Sequence, residues 1–180
     1  MNYYGAKELA ASFRTVRNNT LKIADEIEEK NYGFQPALDT RTVGQTLIHI
    51  ANAHKLQEHI HGVAKLNTLE GFDFVGFFLP MQEIEKKAHT KMQIVTLLTE
   101  QGEHFAHFLE SLSDEFLGQR VSNPMGPGKT RFEMLLGVKE HEMHHRGQLM
   151  LMERMLGMTP HLTREMNARI EQMLKAKASA

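Results

Sequence analysis

Four stretches of this chain carry apolar residues at spacings of three and four, and no stretch of useful length alternates apolar with polar. That periodicity admits helices and excludes a core built on sheets. Over residues 6–29 the stripe is Leu9, Phe13, Val16, Thr20, Ile23 and Ile27. Over 41–65 it is Thr46, His49, Ala53, Leu56, Ile60 and Val63, flanked by Val43, Leu47, Ile50 and His54. Over 83–112 it is Ile94, Leu97, Leu98, Gln101, Phe105, Phe108 and Leu112, with an interruption expected near Ala88-His89-Thr90. Over 130–156 it is Leu135, Val138, His145, Leu149, Met152 and Leu156, with Met134, His141, Gln148 and Met155 beside it. Four long helices joined by short to moderate loops predict an all-α, antiparallel four-helix bundle. A short additional C-terminal helix is expected over 162–175.

Local signals fix the ends. Asp39 or Thr40 is the expected cap of the second helix. Thr130, with Glu133 three residues on, is that of the fourth. Gly157 suits the position just past a helix end, and Pro160 prevents continuation. Asn31 to Pro36 and Asn123 to Gly128 read as loops. Residues 67–80 lack helical periodicity and hold Gly71 and Gly76 among Phe72, Phe74, Phe77, Phe78 and Leu79. This aromatic stretch reads as a loop with three possible uses: a lid over a site, a dimer contact, or packing on its own core.

The 180 residues fit one domain spanning 1–180, without internal repeat. A net charge of -1, with no run of one sign, leaves no footprint for nucleic acid or an anionic membrane. No cysteine is present, which removes thiolate ligands, disulfides and a cysteine nucleophile, and fits a reducing cytoplasm. The N-terminus has no apolar signal core, and no apolar run is long enough for a membrane span.

The chain has 11 histidines. His141 and His145 are four apart and stack on one helix face, inside an apolar pattern. The helical pattern turns both inward, and turns Lys139, Glu140, His144, Arg146 and Glu153 outward. His49 also lies toward the core, where a lone ring is ordinarily bonded to a carbonyl or carboxylate. His104 and His107 flank their stripe and read as boundary or surface residues. In a bundle, sites are built from inward side chains on facing helices, a condition that His49, His141 and His145 meet. Three unrelated buried rings would be costly, whereas one divalent metal satisfies all three and keeps coordination positions open. A hydrogen-bonded cluster without metal is the competing arrangement.

The stretch His141-Glu142-Met143-His144-His145 also spells the zinc-protease helix signature, with Glu142 as its general base. That reading lacks its context. No third ligand follows at a matching spacing, and no edge strand is offered to an extended peptide.

Three segments carry a family resemblance. Thr42 to Ala51 (Thr-Val-Gly-Gln-Thr-Leu-Ile-His-Ile-Ala), His141 to Leu149 (with its His-x-x-x-His-Arg-Gly-Gln core) and Leu156 to Pro160 together resemble the DinB-like (DinB/YfiT-type) superfamily of bacterial metal-binding four-helix bundles. Leu112 to Glu115 is similar to the hinge before the family's last bundle helix. The resemblance implies a divalent metal, zinc or nickel by family habit, on His49, His141 and His145; the ligand type also permits iron or manganese. It implies a frequent homodimer. It further implies a thiol-dependent transferase or isomerase activity in which a low-molecular-weight thiol meets an electrophilic small molecule. Without cysteine in the chain, that thiol must be a substrate. Arg146 is expected in a structural ion pair, Gly147 at a close helix approach, and Gln148 in support of the site or of another helix.

Two functions therefore compete: a metal-dependent enzyme of S-transferase, isomerase or hydrolase type, and a non-catalytic metal-binding, stress-associated interaction protein.

Overall fold

The computed structural model describes residues 4–178. Its long helices are α1 (Ala6–Glu26), α2 (Val43–Asn52), α5 (Lys91–Glu110) and α7 (Arg131–Met155). Between α2 and α5 run α3 (Lys55–Glu58), a π-helical turn (His59–Val63) and α4 (Phe74–Lys86). After α5 come α6 (Asp114–Gly118), the hairpin β1 (Arg120–Asn123) with β2 (Gly126–Thr130), and after α7 comes α8 (His161–Ala178). Each long helix packs on two others, in the cyclic order α1, α5, α2, α7. The shared core clusters set the directions: α1 and α7 run one way, α2 and α5 the other. None of these helices is long and apolar enough to cross a membrane.

Capping explains why the helices begin where they do. Thr42, Thr90 and Thr130 each accept from a backbone N–H three residues on, and Gln45, Gln93 and Glu133 return the bond to the cap's own N–H. The second helix is thus capped by Thr42, not by Asp39 or Thr40. The break at Ala88 to Thr90 falls where the sequence predicts it, and Gly157 closes α7 at φ +80.

Three elements differ from expectation. The second helix does not run unbroken to residue 65. It breaks after Asn52, whose side-chain amide donates to the Ile48 carbonyl, and Val63 ends up exposed. The stretch 67–80 is loop only in its first half; from Phe74 it is helix, capped by Asp73 and continuing through Pro80. Glycines and a proline hid that helix, because it is held by what it packs on and not by propensity. Residues 120–130 form a two-stranded hairpin too short to register as a period. It is anchored by Leu69 and Asn67 on Ser122. The C-terminal helix is also longer than expected, and its stripe of Met166, Ile170, Met173 and Leu174 is exposed.

The core is two apolar layers with a polar layer between them. One layer joins Ile23, Leu47, Ile94, Leu98 and Leu149; the other joins Leu9, Phe13, Phe105, Leu109 and Leu135. Between them lies Arg17, 3% exposed, against Glu142, 1% exposed. Arg17 donates from Nε and Nη2 to the carboxylate at 2.9–3.1 Å, from Nη1 to the Leu98 carbonyl at 2.7 Å, and from Nη2 to the Ile50 carbonyl at 3.3 Å. Thr20 adds a bond to Glu142 at 2.7 Å. One guanidinium therefore ties α1 to α2, α5 and α7. Gly102 makes this possible: a Cβ there would lie 2.9 Å from the Arg17 Cγ.

A second buried carboxyl has no such partner. Glu153, expected outward, is fully buried with both oxygens unbonded. Burial, and then the charge of Glu26, push its pKa up from 4.5 to about 7, against the opposing charges of Arg164 and Arg154.

Two predictions follow from these groups. Arg17→Met should cost about 3–5 kcal/mol in urea unfolding, because Glu142 is left buried without its counter-charge. The double variant Arg17→Met/Glu142→Leu should recover most of that loss. Glu153 holds its proton in the folded chain at pH values where the unfolded chain has released it. Stability should therefore fall as pH rises from about 4.5 to about 7 and stay low above. Glu153→Gln removes that titration. Thermal melts should show it flattening the pH dependence and stabilising the protein at pH 8 by about 1–3 kcal/mol.

Candidate metal centre

His49 projects from the last turn of α2, and His141 and His145 from the middle of α7. The three rings meet through Nε2: His141 Nε2 lies 3.1 Å from that of His49 and 3.1 Å from that of His145. All three can offer a nitrogen to one ion, with the ligand atoms within 4.8 Å of one another. His104 and His107 stand apart, exposed on α5 and facing Glu58, Glu103 and Glu110.

The outer nitrogens decide the tautomers. His49 donates from Nδ1 to Glu85 Oε1 at 2.6 Å, and His145 from Nδ1 to Gln148 Oε1 at 2.7 Å. Both rings then present a bare Nε2 lone pair to His141. A neutral His141 carries one proton. On Nε2 it answers only one of the two lone pairs; on Nδ1 it answers neither, and Nδ1 is itself buried without a partner. A cation among the three nitrogens satisfies every lone pair. Two nitrogens about 2.1 Å from one ion stand ~3.0 Å apart at a right angle and ~3.4 Å apart at the tetrahedral angle zinc prefers, so the 3.1 Å separations lie near a coordination spacing. Burial lowers the His141 pKa to about 4, helped by His145 and His49, and lowers that of His145 against the raising effect of Gln148. Both are neutral, and ready to ligate, at physiological pH.

The supporting residues were only partly legible. Gln148 was expected to support the site or another helix and supports the site; it is steadied in turn by donating to His144 Nε2 at 3.2 Å. Glu85 was missed. It sits on α4, beyond the unrecognised helix start, among ordinary charged neighbours. Burial raises its pKa, but the bonds to His49 and to Arg41 (Nε, 2.8 Å) outweigh this and hold it ionised. Arg146 makes no ion pair among the described residues, and no heavy atom of a facing helix lies within 4 Å of a Cβ at Gly147, so neither expected role appears.

Glu142, the would-be general base of the protease signature, faces away to Arg17. The aromatic stretch divides its uses. Phe72 and Phe77 pack on each other and on the His59 ring, Phe72 packs against Phe74, and Phe74 packs on a small core with Ile60 and Val121; Phe78 lines a cavity beside His49 and His141. Two cavities flank the triad. One, about 470 Å³, is bounded by His49 and His141 and walled by Leu56, Phe78, Met81 and Val138. The other, about 630 Å³, opens beside His145 and Gln148. Arg41, Gln82 and Glu85 border both.

A helical bundle with three histidines converging from two facing helices defines the class. The DinB superfamily model matches residues 12–149, and the chain belongs to that superfamily. It is similar to YjoA of Bacillus subtilis (strain 168), at 22% identity over 156 residues, 86% of this chain and 92% of YjoA. The crystal structure of YjoA, a DinB-like protein, superposes with a TM-score of 0.62 over 84% of this chain and 94% of that one. YfiT of Bacillus subtilis, described as a probable metal-dependent hydrolase with an unusual four-helix bundle topology, superposes with a TM-score of 0.67 at 15% identity, over 88% of this chain and 91% of YfiT.

Glu85→Gln keeps the shape of the residue that orients His49 but removes its charge. It should weaken zinc affinity 10–100-fold, measured by competition with a chromogenic chelator, without lowering the melting temperature of the metal-free protein by more than a few degrees.

Proposed function

We propose that this protein is a divalent-metal-dependent enzyme, zinc or nickel being the ion, which brings a low-molecular-weight thiol to an electrophilic small molecule in a reaction of S-transferase, isomerase or hydrolase type. The observation that carries this reading is the triad itself. Three imidazoles converge by Nε2 with no fourth protein ligand among the described residues, beside cavities large enough for small molecules. A divalent ion held there supplies Lewis acidity and lowers the pKa of a water or thiol bound beside the imidazoles. The chain's own residues do the rest. Burial keeps His141 neutral. Glu85 and Gln148 fix the ring orientations of His49 and His145. Phe78, Met81 and Leu56 give the smaller cavity an apolar wall that limits water. The family relative described as a probable metal-dependent hydrolase supports a nucleophile-activating role. The absence of cysteine requires any thiol to enter from solution.

A homodimer is proposed with it, supported by the exposed stripe of α8. Native mass spectrometry should give twice the chain mass, falling to the single mass in Met166→Lys/Ile170→Lys.

Untagged protein loaded with zinc or nickel should consume thiol in the presence of activated esters, epoxides or halonitrobenzenes. The rate should saturate with thiol and fall at least 100-fold in His141→Ala, followed by a thiol-specific colorimetric assay. Ester cleavage indifferent to thiol would make the protein a plain hydrolase. No turnover with stoichiometric metal bound would favour the non-catalytic metal-binding protein.

A further inference from the structure

Arg41 borders the site with most of its hydrogen-bonding capacity unused. It precedes the cap of α2. Its Nε donates to Glu85 Oε2 at 2.8 Å, while the other oxygen of the same carboxylate holds His49 Nδ1 at 2.6 Å. One carboxylate thus fixes the guanidinium beside a metal-ligand candidate. The Nη1 and Nη2 edge, four N–H groups, meets no acceptor among the described residues. The side chain is 39% exposed, so water can serve those groups. Its position sets it apart from an ordinary surface arginine: it borders both cavities that flank the triad.

The charges lining the two cavities are mixed, with Lys129, Glu133 and Glu140 on the smaller and Asp39 and Lys86 on the larger, so the positive bias is local to Arg41 and the triad. The three imidazoles are the uncharged ligands, and Glu85 offsets Arg41. A divalent ion in the triad would leave this locus with a net positive charge. A planar guanidinium fixed at Nε and free along its Nη edge matches a carboxylate with two parallel hydrogen bonds. From that edge the smaller cavity leads away over Leu56, Phe78, Met81, Met134 and Val138, an apolar surface.

We infer that Arg41 is the anchor for a substrate carboxylate, and that the substrate class is a small carboxylate with an apolar body lying along the Leu56–Phe78 wall. This rests on the reading of the triad as a metal centre, which delivers the reacting group next to that anchor. Arg41 acts here as a specificity residue, setting which electrophile is held and leaving the chemistry to the triad.

The probe is hexanoate, with hexanamide as its neutral counterpart, titrated into cobalt-loaded and metal-free protein. Calorimetry reads affinity and the visible cobalt spectrum reads the site. Hexanoate should bind at least 10-fold tighter than hexanamide and perturb the cobalt spectrum. Arg41→Gln should weaken hexanoate at least 10-fold, leaving hexanamide binding and cobalt stoichiometry at wild-type values; Arg41→Lys, which keeps the charge without the fork, should recover part of the loss. Equal hexanoate affinity in Arg41→Gln and wild type overturns the assignment, as does the absence of hexanoate binding to wild type. Loss of cobalt from Arg41→Gln also overturns it, and would assign Arg41 to holding Glu85. If wild type binds no cobalt, the metal reading fails separately. The metal-free titration then decides Arg41: hexanoate binding lost in Arg41→Gln sustains the anchor, and its persistence removes it.

Discussion

The ion pair between Arg17 and Glu142 sets the arrangement of the whole bundle. Apolar stripes specify that helices bury a face, but they tolerate rotation about the helix axis and sliding by a turn. A buried guanidinium with five directional donors tolerates neither. Arg17 reaches two backbone carbonyls and a carboxylate on three other helices, so the register of α2, α5 and α7 is set against α1 at a single level. Such a pair adds little net stability, because desolvating both charges offsets their attraction. Its structural consequence is uniqueness: a slipped helix would leave one charge buried alone.

The candidate metal centre depends on that register. Successive residues on a helix are about 100° apart, so with Glu142 turned to α1, His141 and His145 fall within about 40° of each other on the side facing α2. α7 lies between α1 and α2 in the cyclic order. The same helix can therefore offer one face to the ion pair and the adjoining face to His49. The break after Asn52 belongs to this layer too. The Ile50 carbonyl next to it accepts from Arg17, and the Ile48 carbonyl from the Asn52 amide, so side-chain donors serve the carbonyls beside the break. The chain continues against α5 and α7, His54 packing on Phe105 and His61 bonding to Arg131, and α4 then places Glu85 and Phe78 beside the site.

The four long helices and the three inward histidines were legible because periodicity reports which face is buried, and facing is what builds a site in a bundle. Thr130 and Gly157 were legible because capping is local chemistry. What was hidden is non-local. Nothing around Glu85 distinguishes it from Glu83, two residues earlier; only the placement of α4 against α2 gives it His49 and Arg41. The helical pattern turns Glu153 outward beside the stripe of Leu149, Met152 and Leu156, whereas the structure buries it without a partner. Phe74 to Pro80 looked like loop because glycine and proline are poor helix formers, yet packing on Ile60, His59 and the cavity overrides that preference.

The His-Glu-x-x-His pattern shows how a motif takes its meaning from what its helix faces. Positions one and five share a face in any helix, and position two always points elsewhere. In a protease, that second position meets the metal-bound water. Here it meets Arg17, and its carboxylate is fully engaged by the guanidinium and Thr20. The site therefore has no glutamate from this motif to take a proton from an incoming nucleophile. An ion with three imidazole ligands can acidify water strongly, but a nucleophile that starts more acidic asks less of it. A thiol, with an ordinary pKa near 8.5 against 15.7 for water, needs no general base once a divalent cation stands beside it. The orientation of one buried carboxylate thus removes the protease motif's base from the site, and the thiol chemistry proposed for it does not call on that base.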